Sequence, residues 1–503
     1  MDPTLIFRAD AGQQIGVGHV MRCLALAQCW HEAGGQVIFV IGGEAPLLSE
    51  RLKAEGLRVS YLSTRAGSAQ DAMQTAEIAL QTGARWVVAD GYHFASDYQQ
   101  HLKNSGISVL LIDDRGYKDH CFADIVLNQN IHANDNLYQK RESDTRLLLG
   151  PKYVLLRKEF LKWHDWRREI RDLASKVLVT LGGTDPHNLT LKTLQALKKI
   201  SINSLQVVVV TGGNNPDHGS LRSAVDELSA KIEFKRNVTN MDDLMAWADV
   251  AISAGGSTCW ELAYMGLPGL VIVAAENQLP VAEDLAAAGV IENLGWHTDV
   301  STQVISEALV RLLQSSEKRL SMSHNGRKMV DGKGVVRVRK LILEKDIILR
   351  LARRDDCALL WHWVNEPVVR AVSFSSEFIP WEQHVQWFES KINDENCQFF
   401  LAVNHQGAPI GQARFESQDK EAIISTSIAK EFRGLGYGSL LIEMASRRLF
   451  EITNVSQINA YVKIDNDLSK RAFAKAGYQE RQQLTIHDQP ALQMIFSKSR
   501  TYE

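Results

Sequence analysis

The chain has 503 residues, 45% of them hydrophobic and 23% charged, with a formal net charge of -3 at pH 7. That length exceeds a single hydrophobic core and predicts about three domains of ordinary globular protein. The slightly acidic balance argues against a nucleic-acid surface, which calls for a basic face.

Six cysteines (Cys23, Cys29, Cys121, Cys259, Cys357, Cys397) stand without a C-x-x-C pair. This is the pattern of reduced, buried thiols, not of a disulfide frame or a zinc site. No ligand cluster calls for a metal. Apolar runs fall short of the roughly 18 residues a membrane span needs, and the first strand-like run follows no basic-then-apolar leader. A cytoplasmic, soluble chain without membrane or nucleic-acid partners is expected.

In chain order, short apolar runs at 5–8, 37–41, 58–62, 86–89 and 109–112 alternate with amphipathic stretches of helical length, among them 20–33 and 71–82. Such alternation predicts parallel strands with crossover helices. A second series runs through 176–181, 205–210, 232–234, 250–253 and 269–273, after a charged and aromatic connection at 163–172. Two Rossmann-type domains facing a cleft are expected, with ligands beyond the carboxyl ends of the strands. Near residue 340 the rhythm changes. A strand-like run at 347–352 leads into a stretch holding Leu360, Trp361, Trp363, Trp381 and Trp387, then strands at 399–403, 411–416 and 422–428. The expected domains are therefore 1–172, 173–344 and 345–503, the last of α+β type.

The first strand ends in Arg8-Ala9-Asp10 and leads to Gly16-Val17-Gly18-His19, which opens a helix through Arg22. Glycines admit a ligand close to the backbone, and a helix start offers free amides to an anion or a sugar oxygen. His19 there is either a surface histidine beside a glycine turn or a general base. In the second half, Ser253-Ala254-Gly255-Gly256-Ser257-Thr258 precedes Glu261. Loop amides at Gly256, Ser257 and Thr258 suit a diphosphate, and the Glu261 carboxylate suits a ribose diol. Thr258-x-x-Glu261 also reads as a capping box.

These segments resemble the pseudaminic acid pathway UDP-sugar hydrolases, a GT-B-fold family similar to MurG-type glycosyltransferases. The likeness runs through Phe7–Asp10, Ile15–His19, Arg22, Asp90-Gly91-Tyr92, Ile112-Asp113-Asp114, Tyr153, Arg157–Phe160, Leu181–Asp185 and Glu276-Asn277-Gln278. It covers about residues 4–300. The resemblance implies a catalytic His19 and site positions at Tyr92 and Asn277. It also implies a UDP ribose beside the helix carrying Glu261, and inversion by C–O cleavage. Asp10, Asp113 and Asp114 are candidates to orient His19 or grip sugar hydroxyls, or are acidic caps of loops after strands.

Farther on, Ile428-Ala429-Lys430-Glu431-Phe432-Arg433-Gly434-Leu435-Gly436-Tyr437-Gly438 follows a strand and opens a helix. Successive amides there form a pyrophosphate cradle to which Arg433 adds charge. Asn466 stands before another helix, which ends in Phe473-Ala474-Lys475-Ala476-Gly477-Tyr478. Together these resemble the GNAT-type N-acetyltransferases over residues 346–496. That implies acetyl-CoA bound at Ile428, Arg433, Gly434, Gly436, Tyr437, Gly438 and Asn466, the last also a plain N-cap. Many members carry a tyrosine where Phe473 stands, so the acid falls to another group, Tyr478 or water, or the domain is a non-catalytic acetyl-CoA-binding module. His384 is a candidate base. The tryptophans read as core or lid packing before sugar stacking.

The expected fold is thus a GT-B-like α/β pair of Rossmann-type domains followed by an α+β GNAT domain. The expected function is bifunctional: acetylation of a UDP-4-amino sugar, then hydrolysis of the diacetylated UDP-sugar. A UDP-sugar glycosyltransferase is the alternative.

Overall fold

The computed structural model describes residues 3–12, 17–43, 46–117, 119–200, 205–212, 221 and 231–498. The chain divides into two compact units between Arg339 and Lys340.

The first unit holds two parallel sheets. One contains β1 (Thr4–Ala9), β2 (Gln36–Gly42), β3 (Arg58–Leu62), β4 (Trp86–Asp90), β5 (Ser108–Ile112), β6 (Ile125–Asn128) and β7 (Arg146–Leu149), ordered β3-β2-β1-β4-β5-β6-β7. The other contains β8 (Lys176–Thr180), β9 (Gln206–Thr211), β10 (Lys231–Arg236), β11 (Val250–Ala254), β12 (Gly269–Val273) and β13 (Ile291–Trp296), ordered β10-β9-β8-β11-β12-β13. Parallel sheets carry helices on both faces, so their strands are apolar throughout and not alternating. Leu5, Ile6 and Phe7 of β1 are all fully buried, as are Val250, Ala251 and Ile252 of β11.

In each sheet the strand order reverses once, between β1 and β4 and between β8 and β11. Crevices at such switch points are where open α/β sheets take ligands. The chain puts its unusual loops there. Ala9 pairs with Asp90 at the end of the β1–β4 ladder, and the chain leaving β1 re-enters helix at Gly18–Glu32. The Gly255–Ser257 loop leaves β11 and opens the helix Thr258–Met265.

The second unit has one seven-stranded sheet. Its strands are β14 (Ile347–Leu351), β15 (Cys397–Asn404), β16 (Pro409–Gln418), β17 (Glu421–Ile428), β18 (Gln457–Lys463), β19 (Gln479–Ile486) and β20 (Gln489–Ser497), ordered β14-β15-β16-β17-β18-β20-β19. Every pairing is antiparallel except β17 with β18. That parallel ladder joins only Glu421–Ile423 to Gln457–Asn459. Beyond it both strands continue unpaired with each other, so the sheet splays open toward Ile428 and Lys463. The helix Tyr437–Ile452 follows β17 and packs on the sheet. Among the described residues no helix is long and apolar enough to cross a membrane.

Candidate active sites

His19 stands in the first turn of the helix Gly18–Glu32, above the β1–β4 switch point. Its Nδ1 lies 2.6 Å from Asp90 Oδ1. Arg22, one turn on, donates from Nε to Asp90 Oδ2 at 2.8 Å and from its terminal nitrogen to Oδ1 at 2.6 Å. Burial alone would raise the Asp90 carboxyl, but Arg22 and then His19 outweigh it and hold it below the usual carboxylate range. An ionised carboxylate only accepts, so the imidazole donates from Nδ1, and its neutral form keeps the lone pair on Nε2. This arrangement presents a proton acceptor of fixed tautomer and orientation. Among the described residues, no atom lies within 4 Å of a Cβ on Gly18. Gly16 lies outside the described residues.

Tyr92 follows β4, its ring edge-on to His19 at 5.2 Å between centroids, with the Arg115 guanidinium 3.8 Å above its face. The Tyr92 hydroxyl donates to Asp114 Oδ2 at 3.0 Å and accepts from Asn277 Nδ2 at 2.9 Å. Burial and the Asp114 carboxyl push the phenol well up. Burial also pushes Asp114 up, with Asp113 adding to it against the pull of Arg22. Tyr92 and Asn277, expected separately on the site, therefore meet each other and tie the two halves of this unit together. His19, Arg22, Asp90, Tyr92, Asp113 and Arg115 line a cavity of about 170 Å3.

Two of the carboxylates expected to orient His19 or grip sugar hydroxyls make no hydrogen bond to His19, although Asp113 lines its cavity. Asp10 pairs with Arg8, accepts from the Gly42 amide at 2.6 Å, and has His93 Nε2 at 2.8 Å from its other oxygen. Burial would raise it, but His93 and Arg8 bring it down to about 2. Asp113 accepts from the Gly116 amide and the Tyr138 hydroxyl. Asp90 is the residue on His19.

In the second half, the helix Thr258–Met265 has Ser257 as its N-cap and no side-chain cap, so the capping box does not form. Glu261 instead accepts from Arg157 through Oε1 at 2.8 and 3.2 Å. Burial raises the Glu261 carboxyl against the pull of Arg157. The Gly255 amide is taken by Gln278 Oε1 at 3.1 Å. The amides of Gly256, Ser257 and Thr258 donate to no backbone acceptor among the described residues, and a Cβ on Gly256 would touch only Gln278 Nε2 at 3.9 Å. The loop is an uncapped set of donors beside a carboxylate, which fits a phosphate and a diol.

In the second unit, Gly434 and Gly436 both have positive φ, 79° and 89°, a region that favours glycine. They turn the chain from Ile428 into the helix opened by Tyr437 and Gly438. The amides of Gly436 and Gly438 have no backbone acceptor among the described residues. Arg433 is held from two sides, while its Nη2 has no hydrogen-bond partner among the described residues. Its Nε donates to Ile428 O at 2.8 Å and its guanidinium pairs with Glu366 at 2.8 Å, so it braces the loop. Tyr437 is buried, as is Tyr478, whose hydroxyl is 2.8 Å from Ser446 Oγ. The cavity between β17 and β18, a space of about 680 Å3, is reached by Phe473, His384 and Trp387, and Tyr478 is not among its lining residues. Asn466 lines that cavity while capping its helix, accepting from the Ser469 amide at 3.1 Å.

Asp90, Arg22 and Arg157 were not picked out from sequence as partners of these groups. Asp90 belongs to the likeness read in the sequence, but its place at His19 follows from strand order, because it sits at the end of the strand neighbouring β1.

The glycosyltransferase family 28 C-terminal domain matches residues 177–335, and the acetyltransferase (GNAT) domain matches residues 346–479. A UDP-2,4-diacetamido-2,4,6-trideoxy-β-L-altropyranose hydrolase of Campylobacter jejuni is 25% identical, over 57% of this chain and 97% of its own length. A spore coat polysaccharide biosynthesis protein of Bacillus subtilis is 29% identical, over 46% of this chain and 68% of its own. An uncharacterized protein of Methanocaldococcus jannaschii is 23% identical over 80% of this chain and 81% of its own. The chain is thus similar to UDP-sugar hydrolases, one of them joined to a pseudaminic acid cytidylyltransferase in Helicobacter pylori, and it matches the glycosyltransferase family 28 C-terminal domain and, farther on, the acetyltransferase (GNAT) domain.

Proposed function

We propose that the first unit hydrolyses UDP-2,4-diacetamido-2,4,6-trideoxy-β-L-altropyranose to UDP and the free sugar. His19 Nε2 takes a proton from water, which attacks the anomeric carbon on the face opposite UDP. The anomeric C–O bond breaks with inversion, and the electron pair leaves on UDP. The amides of Gly256, Ser257 and Thr258 hold the diphosphate, and Glu261 holds the ribose. Asp90 stabilises the imidazolium that forms, and Tyr92 with Asn277 closes the site. The step as drawn needs no metal, because the imidazole activates the water. The observation that carries this reading is the His19–Asp90–Arg22 arrangement at 2.6–2.8 Å. The second unit, on the same reading, uses acetyl-CoA to acetylate the 4-amino group of the preceding UDP-4-amino-4,6-dideoxy-N-acetyl-altrosamine. Both units would work in the cytoplasm.

The test is UDP release from the diacetylated UDP-sugar, followed by NMR. Wild-type chain releases UDP, and His19→Ala loses about 10²–10⁴-fold in rate. No release by the wild type rejects the hydrolase, whereas full activity of His19→Ala rejects only the role of that residue. The family 28 match over 177–335 favours one further reading, sugar transfer to an acceptor other than water. Release of UDP that requires an added acceptor would select it.

A further inference from the structure

The charge pattern of the second unit's cavity has a chemical consequence. Its lining, between the splayed ends of β17 and β18 and the helix Trp381–Ile392, includes Arg370, Arg414 and Lys463 but no aspartate or glutamate among the described residues. Arg414 lies 4.6 Å from the Trp387 ring centroid and pairs with Glu416 at 2.9 Å. Lys463 donates to Ala371 O at 3.1 Å, and Arg370 to Glu377 O at 3.1 Å. The remaining titratable groups on the wall are Tyr461 and His384.

An amine acceptor arrives largely as ammonium and must lose a proton before it attacks a thioester. Arginine and lysine are protonated at neutral pH, and a phenol carries its own proton. Only the imidazole among these groups has an empty proton site. His384 is 2% exposed, and its ring is packed against Trp387 and Phe388 with centroids at 5.3 and 6.1 Å. Its Nε2 is 3.2 Å from Cys357 O. A carbonyl only accepts, so Nε2 carries the hydrogen and Nδ1 keeps the lone pair. No hydrogen-bond partner of Nδ1 occurs among the described residues. Burial pushes this imidazole toward the neutral form, against the Cys357 carbonyl.

Resting on the acetyltransferase reading, we propose that His384 is the general base that deprotonates the acceptor amine. The ammonium gives one proton to His384 Nδ1, and the freed nitrogen lone pair forms the N–C bond to the acetyl carbonyl of acetyl-CoA. The tetrahedral species collapses as the C–S bond breaks, with its electron pair on sulfur. A second N–H proton ends on that sulfur to give CoA, and His384 returns its proton to water. The products are the amide, CoA and one proton. Phe473 has no proton to give in this step, and the three cations on the wall favour the neutral amine as it binds.

The experiment uses the full chain, acetyl-CoA and UDP-4-amino-4,6-dideoxy-N-acetyl-altrosamine, with CoA release and amide formation followed together. His384→Gln is expected to lose about 10²–10⁴-fold in kcat at neutral pH, with acetyl-CoA affinity by calorimetry within twofold of wild type. His384→Ala, which opens a ring-sized space, is expected to regain at least tenfold on addition of imidazole. A His384→Gln variant as fast as wild type overturns the assignment. So does a His384→Ala variant that binds acetyl-CoA normally and gains nothing from imidazole. A wild-type chain that acetylates no part of this acceptor overturns the acetyltransferase reading itself, and the base with it.

Discussion

Asp90 shows how much one carboxylate can decide. It sits fully buried at the end of β4 and is tolerable there because Arg22 neutralises it on both oxygens while His19 takes a further bond. Replacing it by asparagine keeps the shape but offers an amide that can also donate to Nδ1, which permits the wrong imidazole tautomer. Asp90→Asn is therefore expected to cut the rate of UDP release by about 10²–10⁴-fold with little change in KM, as steady-state kinetics will read. Asp10, only two residues beyond Arg8, has the opposite kind of role. Its folded-state ionisation lies at about 2, below the ordinary carboxylate value. It thus contributes stability that is fully present above about pH 4 and is lost as pH falls toward 2. The contribution is about 2 kcal/mol. Denaturant unfolding of wild type and Asp10→Asn should differ at pH 6 and converge near pH 2.

At the scale of elements, buried charge does the joining. Arg8 on β1 is fully buried and donates to Asp71 through Nε at 2.9 Å and a terminal nitrogen at 2.7 Å. Asp71 lies on the helix Ala69–Gln81 and also accepts from the Gly67 amide at 2.8 Å. Arg8→Met would strand two buried carboxylates and is expected to destabilise the first unit by about 3–5 kcal/mol, measured by urea unfolding. The helix Tyr437–Ile452 invites a milder change. A Cβ at Gly438 would find Ile428 Cγ1 at 3.7 Å, ordinary contact, so Gly438→Val should fold. Its side chain would still crowd the amides that the proposed acetyl-CoA pyrophosphate needs. Calorimetry should show acetyl-CoA affinity at least tenfold weaker, with unfolding unchanged.

The central strands were legible because parallel strands buried on both faces read as unbroken apolar runs, as at Val87–Ala89 or Leu270–Val273. β6 and β7 are not legible because no helix-length stretch separates them from β5 or from each other, so the strand–helix alternation breaks there. β19, Gln479–Ile486, is largely exposed and polar and gives no apolar signal. Site residues carried by one loop, such as His19 and the Gly434–Gly438 turn, could be read from local spacing. Partners 71 and 104 residues away, His19 with Asp90 and Arg157 with Glu261, could not. Their meeting depends on strand order and on the pairing of the two halves, which no local pattern encodes.

For the whole molecule, the two compact units match different domain families on one chain. The stretch shared with the Methanocaldococcus jannaschii protein is longer than the first unit, so the likeness runs into the second. On the proposed reading the units act in sequence on one nucleotide sugar, acetylation first and release of UDP second. The two steps should separate genetically: His19→Ala is expected to accumulate the diacetylated UDP-sugar, and His384→Gln to leave the 4-amino UDP-sugar unchanged. The central claim is tested most directly by supplying UDP-4-amino-4,6-dideoxy-N-acetyl-altrosamine to the wild-type chain and following UDP by NMR with and without acetyl-CoA. UDP is expected only when acetyl-CoA is present, after the 4-acetamido signal has risen. UDP formed at the same rate without acetyl-CoA, or none formed even from the diacetylated sugar, would contradict it.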